Sequence, residues 1–180
     1  MQTAYELFVA QLREMLNAEN TLVHVLGEQA RESTRDDLRR GFEEHRSQTQ
    51  THVERILDIF RMLGETPEQT DCKGIDGLVE EKMHIMGKDP AKDLLDFINV
   101  EAGIKAERYE ISTYDSLIVL AEELGMLNAA HMLKETRNEE QATLERLQHF
   151  VGRVKPTNLG LTVEKPQGND VEGGVPTRAA

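Results

Sequence analysis

The chain has 180 residues, with 33 acidic against 21 basic side chains and a formal net charge of −12. That balance argues against binding a nucleic-acid backbone or an anionic membrane surface, because both call for a basic face. Aromatic residues make up 4 % with no tryptophan, which disfavours a base-stacking platform, and the single cysteine, Cys72, rules out an intrachain disulfide or a CxxC metal site. No stretch approaches the roughly 18 apolar residues of a membrane span. The segment Met1–Leu7 lacks the basic-then-apolar pattern of a leader, so cytoplasm is the expected compartment.

Thr3 followed by Glu6 reads as a capping box, and Leu7, Leu12, Met15, Leu16, Leu22, Val23 and Leu26 then recur at helical spacing to about Ala30. Ser33–Asp37 is a second start signal, with acids in the first turn. Its stripe runs through Leu38, Phe42, Val53, Ile56 and Phe60 to Gly64, a candidate left-handed cap. Residues 65–74 read as a loop and 75–86 as a short helix. Asp89 as N-cap with Pro90 at the first helical position opens a long helix to about Leu124, stopped by Gly125. A last helix spans about Asn128 to Val151.

These signals describe an all-α protein with no competing strand pattern. Two antiparallel hairpins joined by a long crossover, which carries a short fifth helix, give a ferritin-like four-helix bundle over residues 1–153. From 154 to 180, recurring glycine and proline predict a polar, disordered tail.

A shift of 91 residues lays the first hairpin on the second without a gap. Glu19 falls on Glu110, Leu26 on Leu117, Ala30 on Ala121, Glu44 on Glu135, and Glu54-Arg55 on Glu145-Arg146. Such a repeat places side chains about a pseudo-twofold axis, as a two-metal bundle requires.

Several polar residues interrupt the apolar stripes. They are Glu19 on the first helix, His45, Thr49 and His52 on the second, Glu107 and Glu110 on the third long helix, and Thr136, Glu140 and Thr143 on the last, with Glu139 at its edge. Isolated buried carboxylates cost several kcal/mol or become neutral, so converging ones call for a cation. Di-metal carboxylate bundles use one glutamate from each of two helices and a Glu-x-x-His pair from each of the other two. Here each pair is half present: Thr49-x-x-His52 lacks the glutamate and Glu140-x-x-Thr143 lacks the histidine. The candidate metal ligands are Glu19, His45, His52, Glu107, Glu110, Glu139 and Glu140, with no catalytic residue assigned. His45 equally suits a hydrogen-bonded core histidine, and Glu107 and Glu139 partly solvated positions. Tyr109 and Tyr114 flank Glu110 and read as packing against the crossover, with redox chemistry or the tuning of a ligand as the other reading, and Glu54-Arg55 and Glu145-Arg146 read as surface pairs.

The block Ala106-Glu107-Arg108-Tyr109-Glu110-Ile111-Ser112-Thr113-Tyr114 resembles the Glu-His-Tyr-Glu-Ile-x-x-Tyr signature of the YciE/YciF family of ferritin-like stress proteins. Leu120-Ala121-Glu122-Glu123-Leu124-Gly125 and Glu139-Glu140 are similar too, as are Ala18-Glu19, His45 with Thr49, and Cys72 with Gly77–Glu81. Two positions depart: Arg108 stands where the family usually has histidine, and Gln48 where it often has glutamate. The resemblance implies a rubrerythrin-like bundle, a homodimer and a role in bacterial stress responses.

Residues and resemblance together lead to a di-iron or di-manganese centre with oxygen or peroxide chemistry, and no organic cofactor. The alternative is a metal-free dimeric bundle that acts through protein interactions.

Overall fold

The structure, a computed structural model, describes residues 1–68, 70–155 and 157. It consists of α1 (Ala4–Glu32), α2 (Asp36–Leu63), α3 (Lys73–Met86), α4 (Leu95–Glu123) and α5 (Leu127–Val151), with one 3-10 turn at Lys92–Leu94. No strand occurs among the described residues. The pairs α1–α2 and α4–α5 are the two hairpins, and α3 lies in the crossover against α4 and α1.

The local signals act as expected at most ends. The Thr3 hydroxyl accepts from the Glu6 amide at 3.1 Å while the Glu6 carboxylate accepts from the Thr3 amide at 3.2 Å, closing the capping box. Gly64 and Gly125 take φ of 68° and 71°, the left-handed conformation that ends α2 and α4 cheaply only for glycine.

The start of α4 differs from the expected Asp89–Pro90. Asp89 sits at φ 52° and helps to terminate α3, a backbone region that aspartate tolerates better than most residues. Regular helix begins only at Leu95, where a tertiary contact fixes it. The buried Asp96 carboxylate accepts from the Thr34 amide at 2.7 Å and the Thr34 hydroxyl at 2.5 Å. This carboxylate ties the α1–α2 turn to the first turn of α4.

Two apolar clusters fill the interior. The larger joins Phe8, Leu12, Met15, Ile59, Phe60, Leu117 and Leu133 with Cys72 and Ile75 of the crossover. The smaller contains Leu26, Ala30, Leu38, Phe42, Val100, Leu147 and Val154. Each fully buried Leu or Phe side chain stabilises by about 1.5–3 kcal/mol. Packing thus reaches Val154, one residue past the expected domain boundary; residue 156 and residues 158–180 of the expected tail lie outside the described residues. No helix among the described residues is long and apolar enough to cross a membrane.

Candidate metal centre

Along α2, α4 and α5, the two apolar clusters are separated by a layer of polar side chains. On α2, Phe42 belongs to the small cluster and Ile56 to the large one, and His45, Thr49 and His52 lie between. Helical spacing of three and four puts these three on one face. α5 contributes Thr136, Glu140 and Thr143, α4 contributes Glu107 and Glu110, and α1 contributes Glu19; all are buried.

Two groups of donors form within this layer. Glu19, His52 and Glu140 offer atoms within 4.8 Å of one another, and so do His45, Glu107 and Glu140. Glu140 belongs to both. Its Oε1 is 2.8 Å from His52 Nδ1, and its Oε2 is 3.8 Å from His45 Nε2. Glu107 Oε1 lies 2.9 Å from His45 Nε2, and Glu19 Oε2 lies 3.6 Å from His52 Nδ1.

The hydrogen-bond pattern is as informative as the distances. Both oxygens of Glu140, Glu19 Oε2, Glu107 Oε2, Glu110 Oε1 and His52 Nδ1 are buried without a hydrogen-bond partner. His52 Nδ1 and Glu140 Oε1 are close but not aligned as donor and acceptor. Buried polar atoms are normally satisfied, and leaving one unmade costs about 1–3 kcal/mol, more for charged groups. A set of unsatisfied carboxylate oxygens and an imidazole nitrogen facing one another fits a shared cation.

The electrostatics agree. Burial, reinforced by the neighbouring Glu140, holds the carboxyls of Glu107 and Glu110 well above the usual range. Burial also raises Glu19, against the opposing charge of His52. Burial alone would push the His52 imidazole down, but the adjacent Glu19 and Glu140 outweigh it and hold the ring at about 11. Burial would raise Glu140 too, yet His52 keeps it below the ordinary value. His45 is lowered by burial, which favours the neutral imidazole that a metal ligand must be. Without a metal, His52 is the one imidazolium set among these acids.

A supporting shell surrounds the donors. His52 Nε2 lies 2.9 Å from Glu139 Oε2, and Arg55 grips that carboxylate with 2.5 and 3.1 Å bonds to its two oxygens. Carboxylate–histidine pairs of this kind fix the orientation of a ligating ring. Glu139, expected among the ligands, thus lies outside both donor groups and behind His52. Glu110 also lies outside them, but it is buried alongside and feels the charges of Glu140, Glu19 and Glu107. The Tyr114 hydroxyl donates to Glu19 Oε1.

Two expectations are corrected by this shell. Neither Arg55 nor Arg146 is merely half of a surface pair with the preceding glutamate, and of the two readings of Tyr114 the bond to Glu19 goes beyond packing. The repeat held a signal for the arginine. Arg55 and Arg146 are equivalent, and each donates to a threonine of the layer: Arg55 to Thr136 at 3.1 Å, Arg146 to Thr143 at 2.8 Å.

The half-present Glu-x-x-His pairs also find an explanation. Glu19, Glu107, Glu110 and Glu140 with His45 and His52 make four carboxylates and two imidazoles. That is the donor inventory of the di-metal bundles. Here both histidines come from α2 and two of the carboxylates from α4.

Comparison with known proteins agrees with this architecture. The domain of unknown function DUF892 matches residues 3–159. The chain is 32 % identical to Protein YciF of Escherichia coli K12 over 144 residues, 79 % of this chain and 87 % of that one. Among solved structures, the E. coli stress protein YciF aligns with a TM-score of 0.81 at 30 % identity, covering 86 % of this chain and 98 % of that one. YcfI from Rhodopseudomonas palustris aligns at 0.79 and 34 % identity, covering 82 % and 94 %. The Glu107-Arg108-Tyr109-Glu110 block, both hairpins and the crossover fall within residues 3–159, and the chain belongs to the DUF892 family of YciF-like, ferritin-like helical bundles.

Proposed function

We propose that the polar layer holds two divalent iron or manganese ions in a YciF-like stress protein. Glu19 and His52 would ligate one ion, His45 and Glu107 the other, with Glu140 bridging and Glu110 as a further carboxylate. The shared position of Glu140, both of whose oxygens lack a hydrogen-bond donor, carries this reading. Charge supports it as well: four buried carboxylates balance two divalent cations. Oxygen and imidazole donors without thiolate suit iron or manganese. Cys72 belongs to neither donor group.

Such ions, when bound, would supply one-electron exchange and Lewis-acid chemistry towards dioxygen or peroxide. The chain's own residues orient and insulate. Glu139, gripped by Arg55, holds the His52 ring. Tyr114 fixes one oxygen of Glu19 and leaves the other facing His52. The large apolar cluster closes the layer off from water on one side.

The test is metal content after purification without chelator, compared with Glu140→Ala and Glu19→Ala. Close to two ions per chain in the parent and a large loss in Glu140→Ala are expected. Equal, substoichiometric metal in all three would sink the reading. Metal must also displace protons from His52, Glu107 and Glu110, so affinity should rise with pH and binding should release protons. Calorimetry in buffers of different ionisation enthalpy reads that release.

One observation favours the metal-free alternative. His52, held protonated between Glu19 and Glu140, can itself serve as the cation. In that case iron or manganese leaves the melting temperature unchanged, whereas a ligand at 100 times its Kd stabilises by about 2.7 kcal/mol. The family resemblance also leads us to infer a homodimer, which sedimentation equilibrium would test.

A further inference from the structure

The small-cluster end of the bundle contains a cavity of about 250 Å³. Its walls include Leu26, Leu38, Phe42, Leu147 and Phe150, and its lining also takes in His45 and Glu107 of the polar layer. Arg40, Glu44 and Arg146 also line it and are exposed, which marks its mouth. It therefore runs from solvent to one of the two donor groups.

Around the mouth four arginines, Arg35, Arg40, Arg146 and Arg153, stand against two acids, Asp37 and Glu44, on a chain of net charge −12. Among the described residues, neither Arg40 nor Arg146 forms an ion pair. The acid Asp37 at the same rim is already held by Arg35 at 3.0 Å and by Arg153 at 2.5 Å. Arg153 in turn lies over the Phe150 ring at 4.9 Å. At the mouth this leaves Glu44 as the one acid not held by an arginine, set against the two guanidinium groups of Arg40 and Arg146, while Glu107 lies at the inner end beside His45. Arg146 donates to Thr143, whose hydroxyl is 3.5 Å from His45 Nδ1, so the mouth is connected to the polar layer.

We propose that this cavity binds a small monocarboxylate with an apolar body, its carboxylate at Arg40 and Arg146 and its chain along Phe42 and Leu147 towards His45 and Glu107. Guanidinium pairs favour carboxylates with directed, charge-assisted bonds. The aliphatic and aromatic walls favour a hydrocarbon chain. The volume matches about eight water molecules, and so a body of about eight to ten heavy atoms. The binding itself does not require a metal.

Gly41 provides a plug that spares the fold. It lines the cavity, and a Cβ there would meet no atom within 4 Å. It sits inside α2, where replacing glycine by a better helix former is favourable. The repeat places Met132 at the equivalent position, so Gly41→Met is the natural choice.

Octanoate, octanol and octylammonium are titrated by calorimetry into the full chain, with metal content measured in every sample. Octanoate is expected to bind with Kd below about 1 mM and at least tenfold more tightly than either analogue. Gly41→Met should abolish the signal while keeping or raising the melting temperature. Arg40→Gln with Arg146→Gln should weaken octanoate about tenfold and leave octanol unchanged. Equal affinity for all three probes, unchanged octanoate binding in Gly41→Met, or no binding at millimolar octanoate would overturn the proposal. Octanoate binding to a chain that takes up no metal supports the pocket and sinks only the metal reading. A metal-loaded chain indifferent to octanoate does the reverse.

Discussion

Shifted by 91 residues, the large apolar cluster lands on the small one, but not with equal side chains. Leu117 falls on Leu26, Leu133 on Phe42, Ile56 on Leu147 and Ile59 on Phe150, so the frame is the same. At the helix faces between them, Phe8 falls on Asn99, Leu12 on Gly103, Met15 on Ala106, and Met132 on Gly41. One end is filled by Phe8, Leu12 and Met15, all fully buried. The other carries smaller or polar residues there and holds the cavity, which Gly41 and Gly103 line. Two hairpins with matching frames thus fill one end of the bundle and leave the other open, with the polar layer between.

The largest expected effect is at the filled end. Leu12→Ala should destabilise by about 2.7–5 kcal/mol, the range for a buried leucine that leaves a new void. Leu147→Ala borders a space that already exists, and should lose only about 1.5–3 kcal/mol. Urea unfolding measures both; equal losses would mean that the two ends are packed alike.

The open end depends more on polar ties. Asp96→Ala removes two charge-assisted bonds to Thr34 and should cost about 1.5–3 kcal/mol. Amide exchange should show the loss first in the α1–α2 turn and the start of α4, and a uniform loss along the chain would count against a local tie.

Glu110 tests the layer itself. Burial and then Glu140 raise its folded pKa above the ordinary 4.5. A carboxyl shifted this way contributes stability that is present below about 4.5 and lost as pH rises towards the folded value. In chelator at pH 8, Glu110→Gln should therefore be more stable than the parent, by about 1–3 kcal/mol. The gain should vanish near pH 4.5. A gain independent of pH would show that ionisation of Glu110 is not the burden.

The smallest effect is at the filled end's terminus. Thr3→Ala opens the capping box and should cost about 1 kcal/mol. The cost should appear as faster exchange of the first turn of α1, with the polar layer untouched.

Helix starts and stops were readable where a local residue decides them, as at Thr3, Gly64 and Gly125. The start of α4 was not, because Asp96 answers to Thr34 sixty-two residues away. Glu19, His45, His52, Glu110 and Glu140 interrupt apolar stripes, and that pattern placed them inside; Glu107 equally suited a partly solvated position and proves buried. Of their partners, Glu139 stood out at the edge of its stripe but as a ligand, and Arg55 only as half of a surface pair. Glu139 and Arg55 sit at the edges of their helices, where a charged residue is unremarkable, and only the approach of α2 to α5 gives them a task. The cavity was hidden for a similar reason: glycine at 41 and 103 is silent until the facing helix is known.

Gly74 has a consequence of another kind. A Cβ at this position would stand 2.2 Å from the Tyr109 ring, so the glycine lets α3 close down on that ring. Cys72 is sealed in the same contact, almost fully buried, with its sulfur 3.2 Å from the Tyr109 hydroxyl. The chain's single thiol can then meet a reagent in water only while α3 is lifted away. The rate at which a soluble alkylating agent consumes Cys72 becomes a clock for that excursion, carried by the natural sequence with no label added.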